Sequence, residues 1–525
     1  MADDDDMLVL GIPPEVLRRH GARVLDPVTA PRDPAAEEEG GPRSPGTTTY
    51  LTSTLLLRGL PGRSARRTLE RLRGTAQNAG YAVELTVEET DLAFEEWLGD
   101  ERAEEVDRVY QTRVRIVPTS AAAPLDAWEL LAAARADGPV DADLEHLMLA
   151  AGGGYYWGGQ GGGYYWGGQG GGYYWGGQGQ DDGEVGARTP VTLGLADLGG
   201  ETRAPERSPV VVVPDTGIGA HPWLTGDLTA VLRDLDGIPV GPPGGLDPDP
   251  EDKGVRNDLT GVLDRLSGHG TFIAGIVRQA ASDARLVGLP VLDSSGAVAE
   301  GDVHRTLTAL WVLHARAQDA GFTGFEPKDL SRGFVLDVLN ISMGYYHQDG
   351  VVEAHPLRDL LRLLGERGVL VVTAAGNDAT RVPLYPAGWA AGATPPEDRS
   401  VVPLVAVGAT NPDGETVALF SNAGPWVTTH APGVNVVSTL PTSFQASANP
   451  SRSTPGDGGA LRARTDRDDM RRGFAVWSGT SFAAPDVAGR VADRLAEATV
   501  EGGASVDPKV MLERAWAALD QEVWR

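Results

Sequence analysis

The chain has 525 residues, 41% of them hydrophobic, which leaves room for two or three domains around a sizeable core. Its formal net charge of −28 sets a repulsive field against nucleic acid and anionic membrane surfaces, while basic partners stay open. With no cysteine, the chain has no disulfide, thiol nucleophile or thiolate metal site.

The opening Met-Ala-Asp-Asp-Asp-Asp carries acid where a signal peptide carries base, and the apolar run at 7–12 is too short for an export signal. No stretch of about 18 apolar residues follows, so a cytoplasmic protein is expected, with unconventional export held open. Residues 1–46, rich in Pro, Glu, Asp and Gly, read as a disordered tail. Strands are predicted at 49–57, 81–87 and 109–117 and helices at 64–78 and 125–136. That β-α-β-β-α order describes a small ferredoxin-like α+β unit over 47–150.

Residues 151–207 read as a linker, within which 152–160, 161–169 and 170–178 each spell Gly-Gly-Gly-Tyr-Tyr-Trp-Gly-Gly-Gln. The glycines deny this stretch a packed core. A glycine linker does not need Tyr-Tyr-Trp, however, so docking on a groove, stacking on a partner or cleavage is an equal reading. From 208 to 525 the texture changes. Short runs that are apolar throughout (210–213, 285–292, 335–341, 369–372 and 401–407) alternate with helical stretches such as 304–320 and 356–367. Strands apolar on both faces predict a doubly wound, mostly parallel α/β sheet with helices on both sides, and a site beyond the strands' carboxyl ends.

Four residues at such positions carry candidate chemistry. Asp215 ends the first run in Pro-Asp-Thr-Gly-Ile-Gly. Asp-Thr-Gly also marks aspartic peptidases, but that mechanism needs a second copy, and Asp293-Ser294-Ser295 lacks the glycine. His269 stands between Gly268 and Gly270, which let neighbours approach the ring; alone it reads as a capping or core histidine. Asn377 closes Thr-Ala-Ala-Gly-Asn after the run at 369–372, where its amide can donate to an oxyanion or simply make a turn. Ser481, in Gly-Thr-Ser-Phe-Ala-Ala-Pro, opens a helix whose apolar stripe is Phe482, Ala484, Val487, Ala488, Val491 and Leu495. Free N–H groups and the helix dipole suit a nucleophile there, Pro485 fits the first turn, and taken alone the serine reads as an ordinary helix cap.

Together these segments resemble the subtilisin-like serine peptidases (subtilases), in the family's order. The likeness extends through Asn340-Ile341-Ser342-Met343-Gly344, Tyr385-Pro386-Ala387, Phe420-Ser421-Asn422-Ala423-Gly424 and Ala431-Pro432-Gly433. It implies that Ser481 attacks a peptide carbonyl, His269 moves the proton, and Asp215 orients the imidazole, while Asn377 and the Ser481 N–H hold the oxyanion. It also implies that Ser342, Met343 and Gly344 pair with substrate backbone. Ala374, Ala375 and Gly376 would wall the pocket for the residue before the cut, their small size leaving room for a large side chain. No cofactor is needed for the chemistry.

The chain departs from the family's pattern at Asp486, where histidine is common, and in insertions at 237–258 and 441–472. Asp247, Asp249, Glu251 and Asp252 are carboxylates of the kind that hold calcium, but their spacing matches no defined site and a solvated acidic loop is the preferred reading. The unit at 47–150 resembles the family's prodomain by order and position, which implies an autoprocessed zymogen inhibited by its own N-terminal part, with protein or peptide as substrate. The alternatives are a subtilase fold kept permanently blocked as a binding module, and a peptide ligase or macrocyclase.

Overall fold

The computed structural model describes residues 8, 10–38, 41–78, 83–118, 126–151, 188–191, 205–254, 262–445, 453–463, 470, 472–502 and 504–524. The expected tail is folded over much of its length. Helix α1 (Pro14–His20) leads into β1 (Ala22–Leu25). Ile12 and Val16 bury against Leu147 and Ala297, and Arg19 and His20 reach Asp293 at 3.1 and 3.2 Å. Polar composition predicts disorder only where no distant apolar surface is waiting, and here one is.

The next elements are β2 (Thr48–Arg58), α2 (Ser64–Asn78), β3 (Val83–Val87), α3 (Glu89–Leu98), α4 (Ala103–Val109), β4 (Gln111–Pro118), α5 (Ala127–Ala136) and β5 (Ala142–Ala150). The strands pair antiparallel in the order β5-β2-β4-β3, with β1 on the other end of β2, the arrangement of a ferredoxin-like unit. Two helices and the closing strand β5 go beyond the sequence expectation. β5 breaks the alternation of a half-buried strand because Glu145 and His146, both fully buried, find partners in the second domain. The repeats at 152–178 lie outside the described residues. The chain returns at Arg188, whose guanidinium lies 5.0 Å from the Trp477 ring.

The second domain contains β6 (Val210–Asp215), β7 (Thr229–Val231), α6 (His269–Ala280), β8 (Arg285–Pro290), β9 (Ala297–Ala299), α7 (Glu300–Asp319), β10 (Val338–Ile341) and β11 (Met343–Tyr346). Then come α8 (Pro356–Glu366), β12 (Leu370–Ala374), β13 (Leu384–Tyr385), β14 (Val405–Thr410), β15 (Thr429–Pro432), β16 (Val436–Thr439), β17 (Phe474–Trp477), α9 (Thr480–Gly502) and α10 (Pro508–Glu522). Seven strands run parallel in the order β7-β8-β6-β10-β12-β14-β15. Their side chains feed two cores. Val211, Val213, Leu370 and Val372 pack with Phe272 of α6 and Phe482 of α9, whereas Val210, Val212, Leu339 and Val371 pack with Leu307 of α7 and Leu360 of α8. A doubly covered sheet is why these runs are apolar at every position. Among the described residues no helix is long and apolar enough to cross a membrane.

Candidate active site

Asp215 is the last residue of β6 and His269 the first of α6, so a strand's carboxyl end and a helix's amino end meet. The imidazole Nδ1–H donates to Asp215 Oδ1 at 2.8 Å, and the Thr216 N–H donates to the same oxygen at 2.7 Å; both side chains are fully buried. That bond fixes the tautomer, leaving Nε2 as the basic nitrogen. Nε2 is buried and has no hydrogen-bond partner among the described residues. The ring sits against Trp477 and Phe482, with centroids 5.5 and 5.3 Å away. The flanking glycines are required: Gly268 has φ 84°, and a Cβ on Gly270 would stand 2.1 Å from the Gly217 carbonyl oxygen.

Ser481 is the second residue of α9. Its hydroxyl donates to the Ser342 carbonyl at 3.1 Å and makes no hydrogen bond to the imidazole. Pro485 lies one turn further inside the helix than expected. Its missing N–H would have bonded the Ser481 carbonyl, and the Ser342 hydroxyl donates to that oxygen instead, at 3.1 Å. The proline thus frees an acceptor that ties the serine's backbone to the neighbouring strand.

One further oxygen occupies the site. The Ala151 carbonyl accepts from the Ser481 N–H at 3.1 Å and from the Asn377 side-chain amide in a short bond. Asn377 cannot turn its oxygen inward, because that oxygen accepts from Thr480 N–H and Thr480 Oγ1, each at 2.9 Å. Upstream of Ala151, β5 lies as the middle strand between β9 and β11. Leu147, Met148 and Leu149 face Ala299, Val298 and Ala297, and Leu149 and Ala150 face Gly344 and Met343. The Ala151 N–H donates to Ser342 O at 2.9 Å. Ser342, Met343 and Gly344 therefore pair with an extended chain that is the protein's own.

The pocket beside Ala151 differs from expectation. Of the three wall residues only Gly376 lines it; Ala374 is buried in the core and Ala375 packs with Ala387, Trp426 and Val427. The space left is about 40 Å³. A Cβ on Gly344 would lie 2.8 Å from Leu384, and one on Gly376 3.0 Å from it, so Leu384 plugs the gap between the two glycines. Beyond it Tyr346 donates to Asp378 at 2.5 Å and Asn422 donates to the Tyr346 hydroxyl at 2.8 Å. Burial raises the Asp378 carboxyl above its usual range, against the Tyr346 bond. Small residues in a motif therefore do not make a large pocket, because Leu384 comes from another segment. A roomier groove of about 710 Å³, bounded by Arg58, Arg67, Arg71, Asp359 and Arg362, shares no residue with this site.

Two carboxylates of the acidic insertion are engaged by protein groups. Asp249 pairs with Arg233 at 2.5 Å, and Glu251 turns inward to Thr216 and Thr271. A cluster whose ligand atoms do approach within 4.8 Å of one another is Asp143, His146 and His347, on both sides of the domain boundary. Its donors are engaged as proton carriers. His347 Nδ1 accepts from Asp349 N–H at 3.0 Å, which puts the proton on Nε2, 2.9 Å from Asp143. His146 faces an acceptor on each nitrogen, Glu300 at 2.6 Å and the Gln348 oxygen at 2.8 Å. Gln348 is held that way by its own N–H bond to Asp143 at 2.5 Å. Although burial opposes its charge, Glu300 holds the His146 pKa above the ordinary value. Nearby Arg113 of β4 bonds Glu145 at 2.7 Å and Asp302 of α7 at 3.0 Å, so buried charge crosses the boundary twice.

The profile of the subtilase family (Peptidase S8) matches residues 206–499. The chain belongs to the subtilase family. An extracellular protease of Xanthomonas campestris is 27% identical over 303 residues, covering 54% of this chain and 43% of that protein. Subtilisin Savinase of Lederbergia lenta is 30% identical over 260 residues, 48% of this chain and 73% of that one. A thermophilic serine proteinase of Bacillus sp. strain AK1 is 25% identical, covering 54% and 51%. This subtilase spans about half the length of several relatives it matches, 43% and 51% in two of these. Among solved structures, a cold-adapted subtilisin-like serine proteinase shares 20% identity over 60% of this chain and 82% of its own, with a TM-score of 0.35. The protease domain of PatA shares 21% over 62% and 100%, with a TM-score of 0.36.

Proposed function

We propose that this subtilase is a serine endopeptidase made as a zymogen, and that it first cuts its own backbone between Ala151 and Gly152. The observation that carries this reading is the Ala151 carbonyl oxygen, held by two donors where an oxyanion would develop, at the end of a strand inserted between β9 and β11.

The chemistry follows from the protons. Rotation about its Cα–Cβ bond swings the Ser481 hydroxyl from Ser342 O to His269 Nε2, a base without a hydrogen-bond partner among the described residues. As Oγ bonds the Ala151 carbon, its proton passes to Nε2 and Asp215 stabilises the imidazolium. The carbonyl electrons move to oxygen, where the Asn377 amide and Ser481 N–H receive them. Collapse breaks the bond to Gly152, whose amine takes the proton from His269. Water then attacks the Ala151 ester with His269 again as base, and Ser481 regains its hydrogen. The N-terminal domain, still bound through β5 and the buried charges, is the inhibitor until it leaves.

Incubating the purified full chain and sequencing fragment termini tests this reading. The expected product begins at Gly152, and Ser481→Ala stays full length. The competing reading, a fold permanently blocked as a binding module, is favoured by the serine's orientation toward Ser342 and by the buried charges that clamp the domains. A wild-type chain that stays intact and reacts with no serine-directed phosphonate would establish it.

A further inference from the structure

Glu251 lies in the acidic stretch at 237–258, and it reaches the back of the Asp215–His269 pair. It is 4% exposed. Its Oε1 contacts the Thr216 hydroxyl in a short bond, and its Oε2 takes the Thr271 hydroxyl at 2.5 Å. Thr216 follows Asp215 directly, and Thr271 stands two places after His269.

Hydrogen counting gives this arrangement its meaning. Thr271 Oγ1 already accepts from Gly219 N–H at 2.7 Å, so its own hydrogen belongs to Glu251 Oε2. Thr216 Oγ1 accepts from Gly270 N–H at 2.8 Å and has one hydrogen for two oxygens, Asp215 Oδ1 at 3.2 Å and Glu251 Oε1. An ionised Glu251 draws that hydrogen to itself, and Asp215 loses a donor. A protonated Glu251 donates from Oε1 to Thr216, whose hydrogen is then free for Asp215. The second oxygen of Asp215 has no hydrogen-bond partner among the described residues, so the gain or loss of one donor is felt.

We infer that Glu251 is a positioning residue whose carboxyl proton aims the Thr216 hydroxyl at Asp215, so that the Asp215–His269 pair is fully assembled only while Glu251 is neutral. This rests on the reading of that pair given above. Burial favours the neutral form and carries Glu251 to about 8, against the two threonine bonds and with the charges of Asp215 and Asp249. The titratable groups that face it are those two carboxylates, with His269 beyond Asp215 and Arg233 paired to Asp249 at 2.5 Å.

Two measurements on the full chain test the inference. In the first, kcat/KM of the self-processed enzyme on acyl-Met-Leu-Ala-Ala-anilide is followed between about pH 6 and 10, with active sites counted by phosphonate titration. Wild type should decline through pH about 8, by roughly tenfold, the loss of one hydrogen bond to a charged group. Glu251→Gln, whose amide donates to Thr216 and accepts from Thr271, should lack that decline. Glu251→Leu, which leaves the Thr216 hydrogen with Asp215 Oδ1 as its acceptor, should also lack that decline. An identical decline in Glu251→Gln, or none in wild type, overturns the inference.

In the second, infrared spectra of Ser481→Ala should show a protonated carboxyl band that titrates near pH 8 and vanishes in Ser481→Ala/Glu251→Gln. A missing band overturns the inference whether or not the chain cleaves anything. A wild type that hydrolyses no peptide defeats the proposed function instead.

Discussion

Leu384 is the residue on which cleavage preference should turn. It fills the space between Gly344 and Gly376, beside Ala151, where a cavity of about 40 Å³ remains. An alanine fits there, and a phenyl ring does not. Leu384→Gly removes the plug without touching Ser481, His269 or Asn377. A P1 phenylalanine would then gain the burial of a large apolar side chain, about 1.5–3 kcal/mol, or roughly 10- to 150-fold in kcat/KM. The variant also loses a buried leucine, at a cost of about 2–5 kcal/mol in stability. The assay therefore compares acyl-Met-Leu-Ala-Phe-anilide with acyl-Met-Leu-Ala-Ala-anilide on processed enzyme, below the melting temperature, with active sites titrated. The ratio for Phe over Ala should rise by at least tenfold. An unchanged ratio in a folded, titratable variant would refute the assignment of Leu384 as the floor of the pocket.

Asn377→Ala should lower kcat by about 10²–10³, the loss that removing one such donor causes in subtilisin. It should also lower the melting temperature, because the buried Thr480 N–H and hydroxyl lose the oxygen they share; burst kinetics and calorimetry read the two effects separately. Release of the N-terminal domain should quicken as pH rises. His146 has a raised pKa in the bound state, so its contribution is full below its free value of about 6.5 and is lost as pH climbs through the raised one. The low pKa values of Asp143 and Glu300 act at the acid end, where protonation costs them their partners. Burial takes His355 down to about 4, so it opposes binding only below about 6.5. Dissociation of the fragment ending at Ala151, followed by size-exclusion chromatography, should therefore rise with pH in wild type and lose that slope in His146→Gln. An equal slope in both would remove His146 from the lock.

The residues proposed to react were legible in the sequence because their chemistry is tied to local backbone. Asp215 and Asn377 follow apolar runs, His269 sits between glycines that a side chain would clash with, and Ser481 heads a helix. Runs such as 210–213 and 369–372 announced a sheet covered on both faces, since every side chain along them needed an apolar neighbour. What the tertiary structure alone decided are matters of long-range contact. Whether residues 10–25 fold depended on Leu147 and Ala297; the size of the pocket depended on Leu384 crossing between two glycines of other segments. The course of β5 through the cleft depended on partners for Glu145 and His146 in another domain. Glu251 looks like any loop acid until Thr216 and Thr271 close over it. Local sequence specifies which groups can react and which segments extend or coil. Pairing across more than a hundred residues is settled only by packing, because burial and hydrogen-bond satisfaction are properties of neighbours in space.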